Sequence, residues 1–224
     1  MKRPDWLNLP FAEAVNFFLS KENVSVGKWD ELTAEQYEYS FGVAGMIKGD
    51  LLDHTKKTIA SMLAEGVPYD EVQAKLATAM NSAGWVTNKG LPPSERRIYI
   101  IADTNVRQSY KRGNIEQFNA AGGVEKYPYF IWRHRDSLDY RLHHKALHNK
   151  AISTNSEFAR KCFPPHGFGC RCTGQFANER IINRMGAKII APPDVKTYLE
   201  KGFGGLEIKS LKSELKDIKN SRSN

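Results

Sequence analysis

The chain has 224 residues, of which 41% are hydrophobic, and it carries a formal net charge of +8. This size suits one large or two small globular domains. The hydrophobic content is sufficient for a packed core, which excludes a chain that is too polar to fold. We find no apolar run of about 18 residues and no secretion signal in MKRPDWLNLPFAEA, so we expect no membrane-spanning helix and a reducing compartment.

Four stretches of the first 123 residues have the apolar spacing of amphipathic helices. They are FAEAVNFFLSK (11–21), DELTAEQYEYSFGVAGMIKGDLLDHTKKTIASMLAEG (30–66), PYDEVQAKLATAM (68–80) and SERRIYIIADTNVRQSYKRGNIEQFNAAGG (94–123). The predicted apolar face is Phe11, Val15, Phe18 and Leu19 in the first stretch and Val72, Leu76 and Met80 in the third. The second stretch is one long helix or a broken pair, because its internal glycines weaken a helix. Gly66 is expected to end it, and Ser94 is expected to cap the last helix.

The composition changes after Gly123. YPYFIWRHRD (127–136) is aromatic and β-branched and predicts a strand, and SLDYRLHHKALHNK (137–150) predicts a turn with a short helical segment. Residues 151–176 predict an irregular loop with a short strand near CRCTGQF, and DVKTYLEKGF (194–203) predicts a short helix. We therefore expect an α+β fold with a mainly helical region over 1–123, a small mixed α/β region over 124–191 and a basic polar tail over 192–224.

All three cysteines lie in one segment, CFPPHGFGCRCT, where the spacing is C-x3-H-x3-C-x-C. Zinc takes thiolate and imidazole ligands, so the candidate metal ligands are Cys162, His166, Cys170 and Cys172, with His144 from the preceding segment. In a strand, Cys170 and Cys172 would point to opposite faces unless the chain bulges between them. Three interpretations stay open: bound zinc, cysteines packed as small hydrophobes, and a late disulfide from Cys162 to Cys170 or Cys172.

A second polar group lies in DSLDYRLHHKALH. On a helix, His144 and His148 would share a face at the i, i+4 spacing of metal ligands, although Lys145 stands where the H-E-x-x-H motif has glutamate. A metal-dependent enzyme would use these two histidines with Asp136. The alternative is a polar network in which Asp136 or Asp139 accepts from Arg141 and His144 bonds a backbone carbonyl.

The positive net charge favours contact with polyanions, DNA above all. The candidate surface is a basic stripe on the 94–123 helix, formed by Arg96, Arg97, Arg107, Lys111 and Arg112. Such a stripe can neutralise phosphates, and the alternative is a solvated outer face. The chain has no Walker, Rossmann or nucleophile-elbow motif, which lowers the expectation of nucleotide hydrolysis, redox or acyl-transfer chemistry.

Taken in order, the segments FAEAVNFFLSK, FGVAG, IADTNVRQSYKRGNIEQ, RHRDSLDYRLHHKAL and FPPHGFGCRCT resemble the phage Mu protein F-like family of minor head proteins, also called phage head morphogenesis proteins. The resemblance covers roughly residues 10–176. The positions that carry it are Thr104, Asn105, Tyr110, Gly113, Gln117, Asp136, Arg141, His144, Leu147, Pro164, Pro165, Gly167, Cys170, Arg171 and Cys172. The family often has a glycine after the H..L element, and here Asn149 is the residue able to take its left-handed conformation.

The resemblance implies structural work in a virion and no catalysis. Members of the family are low-copy proteins inside the procapsid, associated with the portal, so the implied partners are the portal protein, scaffolding or major capsid protein, and nonspecific double-stranded DNA. The implied role is head assembly with DNA packaging or ejection, in the virion interior and, during assembly, the host cytoplasm. Asn105, Asp136, Arg141, His144, Pro164, Pro165 and Arg171 would be structural. The alternative is a metal-dependent nuclease or toxin-like effector carried in the virion.

Overall fold

The computed structural model describes residues 12–28, 32–46, 48–67, 69–87, 90–135, 141–200 and 203. The fold is α+β, and the chain divides into two compact units, Met1–Gly113 and Asn114–Asn224. The unit boundary thus lies earlier than the change of composition after Gly123. The predicted tail from 192 falls outside the described residues except for 192–200 and 203, and 192–200 include a short helix.

The first unit is mainly helical. It contains α1 (Ala12–Ser20), β1 (Glu22–Asn23), α2 (Ala34–Tyr39), β2 (Ser40–Phe41), α3 (Gly49–Glu65), α4 (Tyr69–Ser82) and the beginning of α5 (Glu95–Ala120). β1 and β2 pair in parallel. The helices predicted over 11–21, 68–80 and 94–123 are confirmed, and the stretch 30–66 is the broken pair, with β2 between α2 and α3.

Helix ends in this unit follow the capping residues. The Thr33 side chain accepts from the backbone of Gln36, whose side chain accepts in turn from the backbone of Thr33, which starts α2 with a capping box. Gly66 ends α3 in the left-handed conformation, and the Ser94 hydroxyl accepts from Arg97 N at 3.3 Å at the start of α5. Both of the predicted cap residues are confirmed.

The apolar faces of these helices pack together. The buried face of α4 is Val72, Leu76 and Met80. The buried face of α1 is Ala14, Phe17 and Phe18, whereas Leu19, which the helical spacing placed on that face, is 54% exposed. The apolar stripe of α1 is therefore rotated by about one residue from the predicted one.

The second unit surrounds a four-stranded sheet. After α5 it contains α6 (Gly123–Lys126), β3 (Tyr129–Arg133), α7 (Leu142–Ala146), β4 (Lys150–Ser153), α8 (Glu157–Cys162), β5 (Thr173–Ala177), α9 (Glu179–Met185), β6 (Lys188–Ile189) and α10 (Val195–Tyr198). The strand order is β5-β3-β4-β6, with β3 antiparallel to both neighbours and β4 parallel to β6.

The central strand β3 is buried on both faces. Phe130 and Trp132 point into one apolar cluster, and Ile131 points into another that includes Ala151 and Ile182. This alternation is the period of two expected of a strand. It places the Trp132 indole on the face where the cysteine segment packs.

The sequence did not predict β4, α8, α9 and β6. Each of these elements is too short for its apolar residues to show the repeat of a helix or strand. Two of these elements nevertheless have readable start signals. Ser156 caps α8 by accepting from Ala159 N, and Asn178 caps α9 by accepting from Ile181 N. The stretch 151–176, which predicted mostly irregular loop, thus contains a strand and a helix before β5.

Candidate metal centre

His144 lies on the short helix α7, and only 1% of it is exposed. The turn after α7 is fixed by Asn149, whose φ of 59° is left-handed. The side chain of Asn149 accepts from Arg133 Nη1 at 2.7 Å and donates to Gly186 O at 2.8 Å. The expectation that Asn149 can take a left-handed conformation is confirmed, and the side chain of Asn149 links this turn to the ends of β3 and α9.

Two cysteines and a second histidine lie around His144. Nδ1 of His144 is 3.5 Å from Cys170 Sγ and 3.9 Å from Cys172 Sγ. Sγ of Cys172 is also 3.5 Å from Nδ1 of His134. Ligand atoms of His144, Cys170 and Cys172 all lie within 4.8 Å of one another, and all three residues are buried. Among the described residues, His134 belongs to no group of three ligand atoms within 4.8 Å, although it lies next to Cys172. We call His134, His144, Cys170 and Cys172 the Cys/His cluster.

Aromatic rings enclose the imidazole of His144. The Trp132 ring meets it edge-on with centroids 5.1 Å apart, and the Tyr198 ring lies parallel to it with centroids 6.2 Å apart. Rings on two sides keep water away from His144. Charges and dipoles therefore interact more strongly there than they would in bulk solvent.

The two cysteines of the cluster reach the same histidine because the chain is not yet a strand where they lie. β5 begins only at Thr173, and Cys170 N donates to Gly167 O at 3.2 Å in a turn. Gly167 and Gly169 have left-handed φ values of 112° and 67°, which suit glycine. The objection that a C-x-C pair points to opposite faces of a strand therefore does not apply.

The two thiols perturb each other. A hydrogen bond from Cys172 holds the pKa of Cys170 well below its ordinary value, with further help from His144 and against the effect of burial. The pKa of Cys172 is raised, because its proton is held by Cys170 and because its thiol is buried. The pair thus favours one thiolate and one thiol, since a second ionisation would place two negative charges together in a buried site.

Cys162 and His166, which were candidate ligands from the sequence, lie outside the Cys/His cluster. Cys162 ends α8 and is buried in an apolar cluster with Phe158. His166 is buried, and its Nε2 accepts from Glu200 N at 3.2 Å. Among the described residues, neither belongs to a group of three ligand atoms within 4.8 Å. No disulfide joins the three cysteines, so each is a free thiol.

A charged group lies next to His144. Arg141 and Glu200 form an ion pair through Nε and Oε1, and Arg141 Nη2 donates to Oε2 at 2.9 Å. Ring nitrogens of His143 and His144 lie within 4.8 Å of a carboxylate oxygen of Glu200. Burial raises the pKa of Glu200 although Arg141 opposes the rise, and burial lowers the pKa of His143. Asp136, the partner expected for Arg141, lies outside the described residues.

His148 does not share a helical face with His144, because α7 ends at Ala146. His148 is exposed, and its Nδ1 accepts from the backbone N–H of His134 at 3.2 Å. In the part of the chain that the structure describes, His148 belongs to no group of three ligand atoms. The pairing of His144 with His148 at a catalytic metal is therefore not formed, and Asp136 of that hypothesis lies outside the described residues.

Other residues expected to be structural lie in three places. Asn105 is on α5, where its side chain donates to Ile101 O at 2.9 Å. Pro164 and Pro165 are buried in the cysteine segment and are joined by a cis peptide bond. Arg171 is half-buried between the two cysteines of the cluster. The cysteine segment therefore packs into the second unit rather than looping away from it.

The five basic residues of α5 do not form one exposed stripe. Lys111 and Arg112 are buried, with 3% and 0% exposure. Arg97 and Arg107 are half-buried and donate hydrogen bonds within the protein. Arg96 is exposed. A phosphate-binding role is therefore wrong for Lys111 and Arg112 in this fold, because the helix face that carries them is packed rather than open to a duplex.

His134 is the member of the cluster that sequence reasoning missed. It follows Arg133, the last residue of β3, which pairs with Thr173, the first residue of β5. In an antiparallel pair, one further step along each strand makes His134 and Cys172 neighbours. The predicted strands over 127–136 and near 170–176 contained this signal, but finding it required the strand register.

Comparison with known proteins gives one family. The model of the family described as phage Mu protein F like protein matches residues 43–175, which is more than half of the chain. The candidate capsid assembly protein F of Escherichia phage Mu is 26% identical over 194 residues, covering 81% of this chain and 43% of that protein. The Mu-like prophage FluMu F protein of Haemophilus influenzae is 26% identical over 186 residues, covering 80% of this chain and 44% of that protein.

The chain therefore spans less than half the length of the curated relatives it matches. No solved structure matches it significantly. In the part of the chain that the structure describes, no helix has the length and apolar character needed to cross a bilayer.

Proposed function

Since the chain belongs to the family of phage Mu protein F like proteins, we propose that it is a minor capsid protein of phage head morphogenesis. It is bound to the portal protein inside the procapsid and assists head assembly and the packaging or ejection of DNA. It works in the virion interior and, during assembly, in the host cytoplasm. The observation that carries the proposal is the family match over residues 43–175, supported by the relative from phage Mu that is named for capsid assembly.

In this proposal the chain is not an enzyme. The side chains best suited to catalysis or to metal binding are those of His144, Cys170 and Cys172. Each of them is at most 3% exposed. An enzyme that cuts a polymer must open its metal or nucleophile to that polymer. Burial behind Trp132 and Tyr198 instead suits side chains that hold the unit together.

The alternative is a metal-dependent nuclease or toxin-like effector. The observation in its favour is the group His143, His144 and Glu200, whose outer members His143 and Glu200 are only half-buried. A mixed imidazole and carboxylate set can bind a catalytic cation. Glu200, however, is already paired with Arg141, and a cation would have to compete with that guanidinium.

Nonspecific contact with double-stranded DNA is part of the proposal, and exposed cations of the second unit are better placed for it than α5. Arg180 and Arg184 are one helical turn apart on α9, and Lys188 lies on β6. All three are exposed, and no ion pair involves them among the described residues. Such cations bind phosphates without reading sequence.

The test of the proposal is co-expression with the portal protein encoded by the same phage or prophage. A tag on the portal should retain this chain through a salt wash and through size-exclusion chromatography. Mass spectrometry of purified heads should find the chain at a few copies per particle. Separation from the portal at low salt and absence from heads would overturn the proposal.

The same purified protein also serves to distinguish the proposal from the nuclease alternative. Plasmid DNA is incubated with the protein, with and without a chelator. The proposal predicts intact plasmid in both samples. Cleavage that disappears with the chelator, and that is lost in Glu200→Gln but kept in the exposed control Glu157→Gln, would favour the nuclease.

A further inference from the structure

Three members of the Cys/His cluster, His144, Cys170 and Cys172, have the spacing of ligands in a tetrahedral metal site. Zinc lies about 2.3 Å from thiolate sulfur and about 2.0 Å from imidazole nitrogen, so two such ligands on a tetrahedron are about 3.5 Å apart. The distances from Nδ1 of His144 to the sulfurs of Cys170 and Cys172 are 3.5 and 3.9 Å. The distance from Nδ1 of His134 to the sulfur of Cys172 is 3.5 Å.

We propose that His144, Cys170 and Cys172 bind a structural zinc ion, and that His134, which lies next to Cys172 but outside this group of three, moves in as the fourth ligand when the ion binds. Cys162 and His166 take no part in it. The proposal does not depend on the role in head assembly, because it uses only the geometry of the second unit.

The ligands come from three separate points of the fold. His134 follows the end of β3, His144 lies on α7, and the two cysteines immediately precede β5. The pairing of Arg133 with Thr173 brings the first and third points together. A metal here therefore ties α7 to the open end of the β3–β5 ladder, which the sheet's own hydrogen bonds do not do.

The donor set indicates the kind of metal. Two thiolates and two imidazoles suit zinc, whereas magnesium and calcium prefer oxygen ligands. With His134 as the fourth ligand, all four positions would be filled by protein side chains, which is the closed arrangement of a structural site rather than a catalytic one.

The second ring nitrogen of His144, Nε2, supports the binding of a metal through Nδ1. Nε2 is buried and has no hydrogen-bond partner among the described residues, while Nδ1 faces the sulfurs. A metal on Nδ1 leaves the ring proton on Nε2. Glu200, held by Arg141, has a carboxylate oxygen within 4.8 Å of a ring nitrogen of His144. A carboxylate behind a ligating histidine is the usual way in which proteins orient such a ligand.

The competing explanation is a metal-free network in which thiols and imidazoles hydrogen-bond to one another. It predicts similar distances but no metal. The two explanations differ in what the purified protein contains, so the test starts from metal content of the full chain, produced without a histidine tag and without chelator.

We expect about one zinc ion per chain, because four protein ligands bind one tetrahedral ion. Cys170→Ser and Cys172→Ser should abolish stoichiometric zinc. Cys162→Ser is the matched control, because this third cysteine is equally buried but lies outside the cluster, and it should keep the metal. His134→Ala removes one of four ligands and should weaken zinc binding at least about tenfold.

A second measurement does not depend on the variants folding. Wild-type protein is stripped of metal and titrated with cobalt, which should give the intense visible bands of tetrahedral thiolate coordination and should raise the melting temperature. Wild-type protein that contains no zinc, takes up neither zinc nor cobalt and melts identically with and without chelator overturns the proposal. So does zinc that survives in Cys170→Ser but is lost in Cys162→Ser.

Discussion

Arg141 and Glu200 pair across 59 positions of sequence, and the ion pair lies directly against Gly167. A Cβ placed on Gly167 would overlap the carboxylate of Glu200 and come 2.8 Å from Arg141 Nη2. One contact thus holds together the cysteine segment, the start of α7 and the segment that follows α10. This contact lies beside His144, so it also helps to orient the Cys/His cluster.

Removing the arginine should destabilise the second unit. Arg141→Ala leaves the half-buried carboxylate of Glu200 without its cation and removes the bond to Phe168 O, so we expect a loss of about 1–3 kcal/mol. Lys161→Ala breaks the exposed pair with Glu157, which solvent screens, and should destabilise the unit clearly less. Urea unfolding followed by circular dichroism measures both. Equal losses would show that the Arg141 pair is no stronger than a surface pair.

Gly167 should tolerate no side chain. Gly167→Ala combines a left-handed backbone, at φ of 112°, with the overlap on Glu200. Gly186→Ala is the matched control, because its φ of 58° is also left-handed but its Cβ would meet open space. We expect Gly186→Ala to lower stability by about 1 kcal/mol and Gly167→Ala to lower it clearly more. Melting temperatures test the order, and a smaller effect at Gly167 would contradict it.

Stability should depend on pH through Lys21. Burial lowers the pKa of Lys21 from 10.5 to about 8, although Glu38 acts in the opposite direction. Between these values the unfolded chain binds more protons than the folded chain, so the stability contributed by this site rises with pH. Relative to Lys21→Met, the wild type should gain up to about 3 kcal/mol from pH 8 to 10.5. Parallel pH profiles in urea unfolding would contradict this assignment.

Contact with DNA should depend on α9 and β6. Reversing Arg180, Arg184 and Lys188 to glutamate should weaken retention of plasmid DNA and flatten its salt dependence, because fewer counterions are released on binding. Reversing three exposed lysines elsewhere, Lys57, Lys75 and Lys126, is the control with an equal change of charge and should change retention less. Equal effects from both sets would mean that only net charge matters.

Much of the helical part follows from local signals. The stripe of Val72, Leu76 and Met80 and the caps at Gly66 and Ser94 needed no tertiary information, because a helix repeats within one stretch of sequence. The buried face of α1 differs from the predicted face, because a nine-residue helix is short enough for more than one apolar stripe to fit its sequence. The burial of Arg112 could not be foreseen, since cations on a helix are usually exposed.

For a similar reason, only part of the Cys/His cluster could be predicted from the sequence. Cys170, Cys172 and His144 could be collected because they are unusual residues close together in sequence. His134 joins them only through the register of β3 against β5, and Cys162 leaves them because α8 places it in the apolar core. Strand register and helix orientation are set by packing, which a list of spacings does not contain.

Whether a closed Cys/His site stabilises the second unit is measured by the zinc X-ray absorption spectrum of the purified full chain. We expect two sulfur neighbours at about 2.3 Å and two nitrogen neighbours at about 2.0 Å, unchanged in Cys162→Ser. A spectrum with oxygen and nitrogen neighbours only, or with three sulfurs, would contradict this expectation.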